Sequence, residues 1–388
     1  MAPATGPKNY ANKNAHMTGF GTLCTFPGAS RKIATCGGVD QMVKIHSMEQ
    51  KEGVEEAESE QIDHFGHGVW AVAVSCDGSM LAAGGSRENE GVALFNKNDD
   101  DEFQFERNVG RSSLDTRHLA FSPTSTLLAI ASDEQDILVV DTAESDPAKG
   151  TTVLEGHRGG VKYLAWDTEG KYLASSGSDA TVRIWDPKAK KEVKCIEKAF
   201  SKTAASATFA SGSEEGDGMP KNRCGLSWSP VGNQLAFASG DRVRVFERET
   251  WVEKEAFSLG DPNADCSLVQ FSPNGSYLLT LDTNGLAIVW DVMEKESLSR
   301  HENPKGNEFQ VAVFDPDFNG LIVMSKDGGY GSVGDVVADD KVGPHEMLDL
   351  DDDLEAEEIK SFDGMDDGEE LGGELMLDEP GMGGDVVA

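Results

Sequence analysis

The sequence predicts an all-β fold, a seven-bladed β-propeller, from one unit that returns seven times at intervals of roughly 45 residues. In each copy, a large apolar residue and a turn precede a strand of small residues. An alternating strand then ends the copy with an aromatic residue and an acid, most clearly in residues 166–186. The first copy is residues 26–46, and the others begin at Val74, Phe121, Trp228, Phe271 and Phe314. Since one four-stranded sheet cannot bury both faces, seven copies predict seven stacked blades.

The repeats divide the chain into three segments. Residues 16–337 form the predicted propeller, and the seventh copy is followed by one further strand-like stretch, residues 331–337. The missing outer strand of that blade is therefore expected from residues 1–15, which are otherwise predicted to be flexible. Such closure would leave only short sheet edges exposed to other chains.

Residues 338–388 are predicted to be a disordered acidic tail, because they contain too little apolar surface to form a core. Several apolar residues are interleaved among the acids: Leu348, Leu350, Leu354, Ile359 and Phe362. Acidic-hydrophobic alternation is typical of disordered segments that bind a partner. A solvating linker has the same composition, so both interpretations stay open. An internal stretch of small and acidic residues, 201–220, is likewise predicted to be disordered.

Composition excludes several classes of protein. The net charge is −35 at pH 7, and about half of it lies beyond Asp339. Nucleic-acid binding depends on Lys and Arg side chains that neutralise phosphates, so direct binding of DNA or RNA by this surface is disfavoured. Six scattered cysteines without a C-x-x-C pair favour a reducing intracellular compartment. No apolar run approaches the ~20 residues that span a bilayer, and no signal-peptide stretch is present, so no membrane association is expected.

The fourth blade contains polar residues at fixed blade positions. Gly156 and His157 precede its first strand, Ser175 lies on its second strand, Asp179 lies in the next turn, and Trp185 ends its third strand. This pattern resembles that of WD-repeat proteins, in which such a His, Ser, Asp and Trp form a buried hydrogen-bonded chain. The resemblance implies a structural role in satisfying buried polar groups. A Ser-His-Asp catalytic triad is the alternative, and it is disfavoured because each residue falls at its blade position.

Other blades keep only parts of this set. The second blade has Gly66 and His67 without a matching tryptophan. The first blade has Asp40 six residues before His46, the spacing that separates the acid from the tryptophan in the fourth blade. The complete hydrogen-bonded chain is therefore predicted for the fourth blade alone.

The remaining motifs favour no catalytic or ligand-binding chemistry. His64 and His67 have the spacing of two metal ligands, but complete sites need three or four ligands, and no others lie nearby. No G-x-x-x-x-G-K-[ST] phosphate loop is present. Cations on third strands are predicted to face the surface or the channel: Lys44, Arg183, Arg242 and Arg244. The sequence thus predicts a non-enzymatic protein-interaction scaffold with no metal, cofactor or small-molecule substrate.

Three stretches carry a closer family resemblance. They are residues 116–141 with 154–167, residues 226–230 with 243–251, and residues 285–291. In this order, with an acidic tail after the seventh blade, they resemble the N-terminal propeller of the WD-repeat and HMG-box DNA-binding proteins. That family is also known as the acidic nucleoplasmic DNA-binding or chromosome transmission fidelity adaptors. The resemblance covers residues 16–337.

The family resemblance implies a nuclear scaffold at replication forks, where it would couple the replicative helicase to DNA polymerase α–primase. In the family, trimerisation and client capture belong to segments that follow the first propeller, so they are not carried over to this chain. A generic WD-repeat adaptor is the alternative, either a ubiquitin-ligase substrate receptor or an RNA-processing scaffold. Co-purification with helicase and polymerase α subunits, rather than with a cullin–adaptor complex, would distinguish the two.

Overall fold

A computed structural model of the chain describes residues 20–28, 32–37, 41–47, 59–89, 91–124, 126–200, 225–231, 233–254, 257–259, 265–302, 309–315, 320–325 and 330–334. These residues contain 27 strands, arranged in seven antiparallel sheets, and one short helix. The predicted all-β propeller is thereby confirmed. The predicted closing strand in residues 1–15, Asp40, the insertion at 201–220 and the acidic tail with its five apolar residues all lie outside the described residues.

The first four sheets each pair four strands in chain order. The first blade contains β1 (Phe20–Thr25), β2 (Lys32–Gly37), β3 (Val43–Ser47) and β4 (Ser59–Ile62). The second contains β5 (Val69–Val74), β6 (Met80–Gly85), β7 (Val92–Lys97) and β8 (Phe103–Val109). The third contains β9 (Thr116–Phe121), β10 (Leu127–Ser132), β11 (Ile137–Asp141), the helix α1 (Pro147–Gly150) and β12 (Thr151–Leu154). The fourth contains β13 (Val161–Trp166), β14 (Leu173–Gly177), β15 (Val182–Asp186) and β16 (Lys191–Ile196).

The last three sheets follow the same order, and the seventh has three described strands. The fifth blade contains β17 (Leu226–Trp228), β18 (Gln234–Ser239), β19 (Arg242–Glu247) and β20 (Phe257–Ser258). The sixth contains β21 (Cys266–Phe271), β22 (Tyr277–Asp282), β23 (Ala287–Asp291) and β24 (Ser297–His301). The seventh contains β25 (Phe309–Phe314), β26 (Gly320–Ser325) and β27 (Tyr330–Gly334).

The sheets form a closed ring through their first strands. Each first strand contacts the first strand of the next sheet, from β1 to β5 and onward to β21 and β25, and β25 contacts β1. A hydrophobic cluster seals this last junction, with members from the first and seventh sheets: Leu23, Ile33, Val311, Ile322 and Met324. Side-chain packing between the end blades therefore contributes to closure directly.

The small residues of the second strands follow from their position between two neighbouring blades. All five residues of β14 are buried, and five of the six residues of β6 are buried. A side chain there would crowd the next blade: a Cβ on Gly84 would lie 3.1 Å from Cγ2 of Thr116, on the first strand of the third blade. The alternation of small and large residues thus allows the sheets to stack face to face.

Polar contacts also join neighbouring blades. The tryptophans that end two first strands donate to the preceding blade, Trp166 to the Ala120 carbonyl and Trp228 to the Ala165 carbonyl, both at 3.0 Å. Arg248, after β19, reaches the buried carboxylate of Asp167 in the fourth blade at 2.6 Å. The aromatic residue that opens two of the sequence repeats therefore bonds its blade to the preceding one. Among the described residues, no helix is long and apolar enough to cross a bilayer.

Candidate functional site

The fourth blade brings His157, Ser175, Asp179 and Trp185 into one hydrogen-bonded chain. The Trp185 indole N–H donates to Ser175 Oγ at 2.8 Å, and Ser175 Oγ lies 2.7 Å from His157 Nε2. His157 Nδ1 lies 3.0 and 3.1 Å from the two Asp179 carboxylate oxygens. Because the carboxylate only accepts, Nδ1 donates to Asp179, and Nε2 and the serine hydroxyl bond each other. The chain therefore satisfies every polar side chain in it.

The geometry of β14 makes room for this imidazole. Gly177 ends β14, and a Cβ there would lie 2.5 Å from His157 Nδ1. Burial alone would raise the pKa of Asp179, but hydrogen bonds from His157, Thr181 and the Arg158 backbone N–H hold that pKa well below its usual range. The turn before β15 is thus locked onto the loop before β13 by a charged group.

The same four hydrogen-bonded side chains are inaccessible to a substrate. Ser175 is fully buried, and the side chain of His157 is fully buried as well. The serine hydroxyl already bonds both the indole and the imidazole, so it has no free direction from which to attack a reacting atom. The arrangement holds strands together; it is not laid out for nucleophilic chemistry.

Two further blades contain a shorter version of this chain, which sequence reasoning missed. In the first blade, Thr35 Oγ1 lies 3.0 Å from His46 Nε2. In the sixth, the Trp290 indole N–H donates to Thr280 Oγ1 at 2.9 Å. The strand register places both threonines at the position of Ser175. A search for any hydroxyl on the second strand, rather than for serine, would have found them.

The second blade differs. Val69 pairs with Gly85 as Val161 pairs with Gly177, so the residue four positions before β5, Phe65, takes the place of the fourth-blade histidine. The interpretation that placed Gly66 and His67 there is therefore wrong, because the connection into β5 is two residues shorter after His67. His67 is instead exposed and pairs with Glu88 at 2.8 Å.

The third-strand arginines pair with acids of the same blade. Arg183 pairs with Glu192 on β16, and Arg244 donates to Glu253 at 2.8 and 2.6 Å. Arg242 is more than half exposed and lies 3.4 Å from Asp241. Lys44 is half-buried on β3. Arg242 therefore lies at the surface, one of the two predicted locations, whereas the side chains of Arg183 and Arg244 are only 12% and 19% exposed.

Polar groups also gather on the first strands, which surround the centre of the ring. Arg117 on β9 donates to Asp133 at 2.5 and 2.9 Å, and Lys162 on β13 pairs with the same carboxylate. Burial would raise the pKa of Asp133, but the bonds from Arg117 and the charge of Lys162 lower it below its usual range. This network joins the third and fourth blades. Within the described residues, no three metal-ligating side chains cluster.

The seven sheets in a ring and the buried His-Ser-Trp-Asp chain define a WD40 β-propeller, a class of interaction scaffolds that is generally non-catalytic. The family model described as the WDHD1 first WD40 domain matches residues 13–332, and the chain belongs to that family.

Among curated proteins, the chain is similar to "WD repeat and HMG-box DNA-binding protein 1" of two vertebrates. The identity is 26% over 230 residues for Mus musculus, covering 58% of this chain and 19% of the relative. It is 25% over 272 residues for Xenopus laevis, covering 69% and 22%. "Protein HIR1" of Cryptococcus neoformans is 28% identical over 210 residues, covering 49% and 22%. The chain thus spans about a fifth of the length of the curated relatives it matches.

Proposed function

We propose that this chain is the propeller module of a nuclear, chromatin-associated scaffold for DNA replication, which links the replicative helicase to DNA polymerase α–primase. The observation that carries this proposal is the match of residues 13–332 to the first WD40 domain of WDHD1. The names of the vertebrate relatives, which include DNA binding and an HMG box, support a nuclear role.

This chain would associate with chromatin by binding protein partners and would not bind DNA directly. The net charge of −35 repels a phosphate backbone, and Arg117, Arg183, Arg244 and Arg248 are each bonded to carboxylates. Those guanidinium groups are therefore already engaged within the propeller. The acidic segment 338–388, with Leu348, Leu350, Leu354, Ile359 and Phe362 among its acids, would act as a tether that binds a partner.

The test is affinity purification from S-phase nuclear extract, read by mass spectrometry. The baits are the full chain, the chain without residues 340–388, and an unrelated WD-repeat propeller of similar acidity as a control. Enrichment of helicase or polymerase α subunits over the control supports the proposal, and their loss on truncation assigns the contact to the tail. Recovery of a cullin–adaptor complex or of RNA-processing factors in their place would favour the generic adaptor and overturn the replication role.

A further inference from the structure

A cavity of about 410 Å³ opens on the second blade, next to the connection from β4 to β5. The buried residues Phe65 and Ala93 lie at its base. His64 and Phe105 line one wall, and the exposed His67–Glu88 pair lies at its rim. This volume falls within the roughly 300–1,000 Å³ of small-ligand pockets. The cavity is therefore large enough to admit a side chain of a partner.

The aromatic wall is pre-assembled. The His64 ring stacks on Phe105 with centroids 4.1 Å apart and an interplanar angle of 23°. The same ring meets Phe65 and Phe95 edge-on, each at 5.5 Å. Phe105 is nevertheless 44% exposed, although it lies beside this cluster on β8. His64 covers one face of the Phe105 ring, and the part left uncovered is a π-surface held in one orientation, which is suited to stacking with a planar ligand group.

The polar groups around this wall select for positive charge. Glu88 is the carboxylate of the lining, which includes no lysine or arginine among its described residues. Its Oε2 pairs with His67 Nδ1 at 2.8 Å, so Oε1 is the oxygen left to accept from a ligand. The nearby Arg107 is turned away and donates to the Thr142 and Glu144 carbonyls at 2.6 and 3.0 Å. Asn108 contributes an amide to the lining. The net charge of the chain adds a long-range attraction for cations.

We propose that this cavity binds an arginine side chain in a basic peptide segment of a partner protein. The planar guanidinium would stack on the Phe105 ring and donate to the Glu88 carboxylate, with a remaining N–H directed at the Asn108 amide oxygen. A lysine ammonium is also attracted to a ring face, but it cannot stack flat on the ring or present several N–H donors in one plane, so arginine is the preferred residue. The inference rests on the scaffold function proposed above and adds the chemistry of one partner segment.

The test uses saturation-transfer NMR with the complete 388-residue chain and two probe peptides. One peptide is acetyl-Gly-Gly-Arg-Gly-Gly-amide, and the other has citrulline, a neutral group of nearly the same shape, in place of arginine. We expect saturation of the arginine side-chain protons and a signal at least about fivefold weaker for citrulline. Glu88→Gln and Phe105→Ala should each weaken arginine binding by a similar factor.

The matched control is Glu106→Gln, which removes the same charge from β8. Glu106 lies outside the cavity lining and bonds the Asn96 amide at 2.8 Å. Equal signals from the two peptides, or equal losses for Glu88→Gln and Glu106→Gln, would overturn the proposal.

The two proposals fail in distinguishable ways. If the chain enriches replication subunits from extract but the arginine probe does not bind, the cavity assignment is wrong and the scaffold role stands. If the probe binds and responds to Glu88→Gln while no replication subunit is enriched, the arginine site stands and the replication role is wrong.

Discussion

The second and fourth blades have the same strand register and opposite chemistry at three core positions. In the fourth blade these positions hold a hydrogen-bonded imidazole, hydroxyl and indole; in the second they hold Phe65, Ala83 and Phe95. The ring geometry is nearly the same: His157 and Trp185 have centroids 6.0 Å apart, and the two phenylalanines 6.1 Å apart. A blade can therefore fill this space with either polar or apolar groups.

The difference determines where the histidine of the loop resides. The His157 side chain is fully buried and bonded at both nitrogens, whereas His67 is 46% exposed and pairs with Glu88 at the rim of a cavity. Apolar packing in the second blade leaves the polar groups of its loop on the surface. We infer that the fourth blade contributes rigidity and that the second presents a surface for recognition.

The largest expected effect follows removal of the fourth-blade indole. Trp185 is 1% exposed, so Trp185→Ala should lower the free energy of unfolding by about 3–5 kcal/mol through the cavity it leaves. Trp185→Phe keeps a ring but removes the donor to Ser175, and it should cost roughly 1 kcal/mol. Denaturant unfolding followed by circular dichroism measures both. Equal losses for the two variants would show that the hydrogen bond, rather than packing, dominates.

A smaller effect should separate the two histidines. His157→Ala removes one hydrogen-bond partner each from Ser175 and Asp179 inside the blade, and the expected loss is roughly 1–3 kcal/mol. His67→Ala, at an exposed site, should stay within about 0.5 kcal/mol of the parent chain. Thermal unfolding of the two variants side by side is the measurement. An unchanged melting temperature of His157→Ala would contradict the structural role of the hydrogen-bonded chain in the fourth blade.

Acid should weaken the fourth blade through protonation of Asp179. Because the pKa of Asp179 is lowered in the folded state, its contribution to stability is present above its unfolded pKa of about 3.9 and is lost as pH falls toward the folded value. Asp179→Asn should therefore be less stable at pH 7 and lose less stability below pH ~4 than the parent chain. Ser175→Ala, which removes no titrating group, should retain the parent's acid dependence. The measurement is the free energy of unfolding as a function of pH. If that free energy fell equally with acid in Asp179→Asn and in the parent chain, Asp179 would not be the group responsible.

The smallest effect is expected for deletion of residues 340–388. Their composition predicts no core contacts, so the truncated chain should unfold cooperatively with a free energy within about 0.5 kcal/mol of the parent. The free energy of unfolding that Trp185→Ala removes should be the same in the full chain and in the truncated chain. Loss of a cooperative transition on truncation would show that the segment belongs to the folded unit.

The propeller could be predicted from the sequence because a repeated alternation of apolar residues indicates which positions are buried. The proximity of four residues in the fourth blade could also be predicted, since the spacing of each from its strand matches a known blade pattern: His157, Ser175, Asp179 and Trp185. Sequence reasoning misassigned His67 because one residue type near a strand does not establish which residue packs inward. It missed Thr280 and Trp290 because threonine stood where serine was sought.

The sequence by itself determined the number of repeats, the order of strands within each blade, the acidic character of the chain and the family to which it belongs. These properties follow from composition and local periodicity, which depend only on residues that are close together in the sequence. Only the tertiary structure decided that Phe65 replaces an imidazole, that third-strand arginines are paired, and that His64, Phe105 and Glu88 surround one cavity. Those relations join residues from different strands and loops, and strand register and packing bring them together.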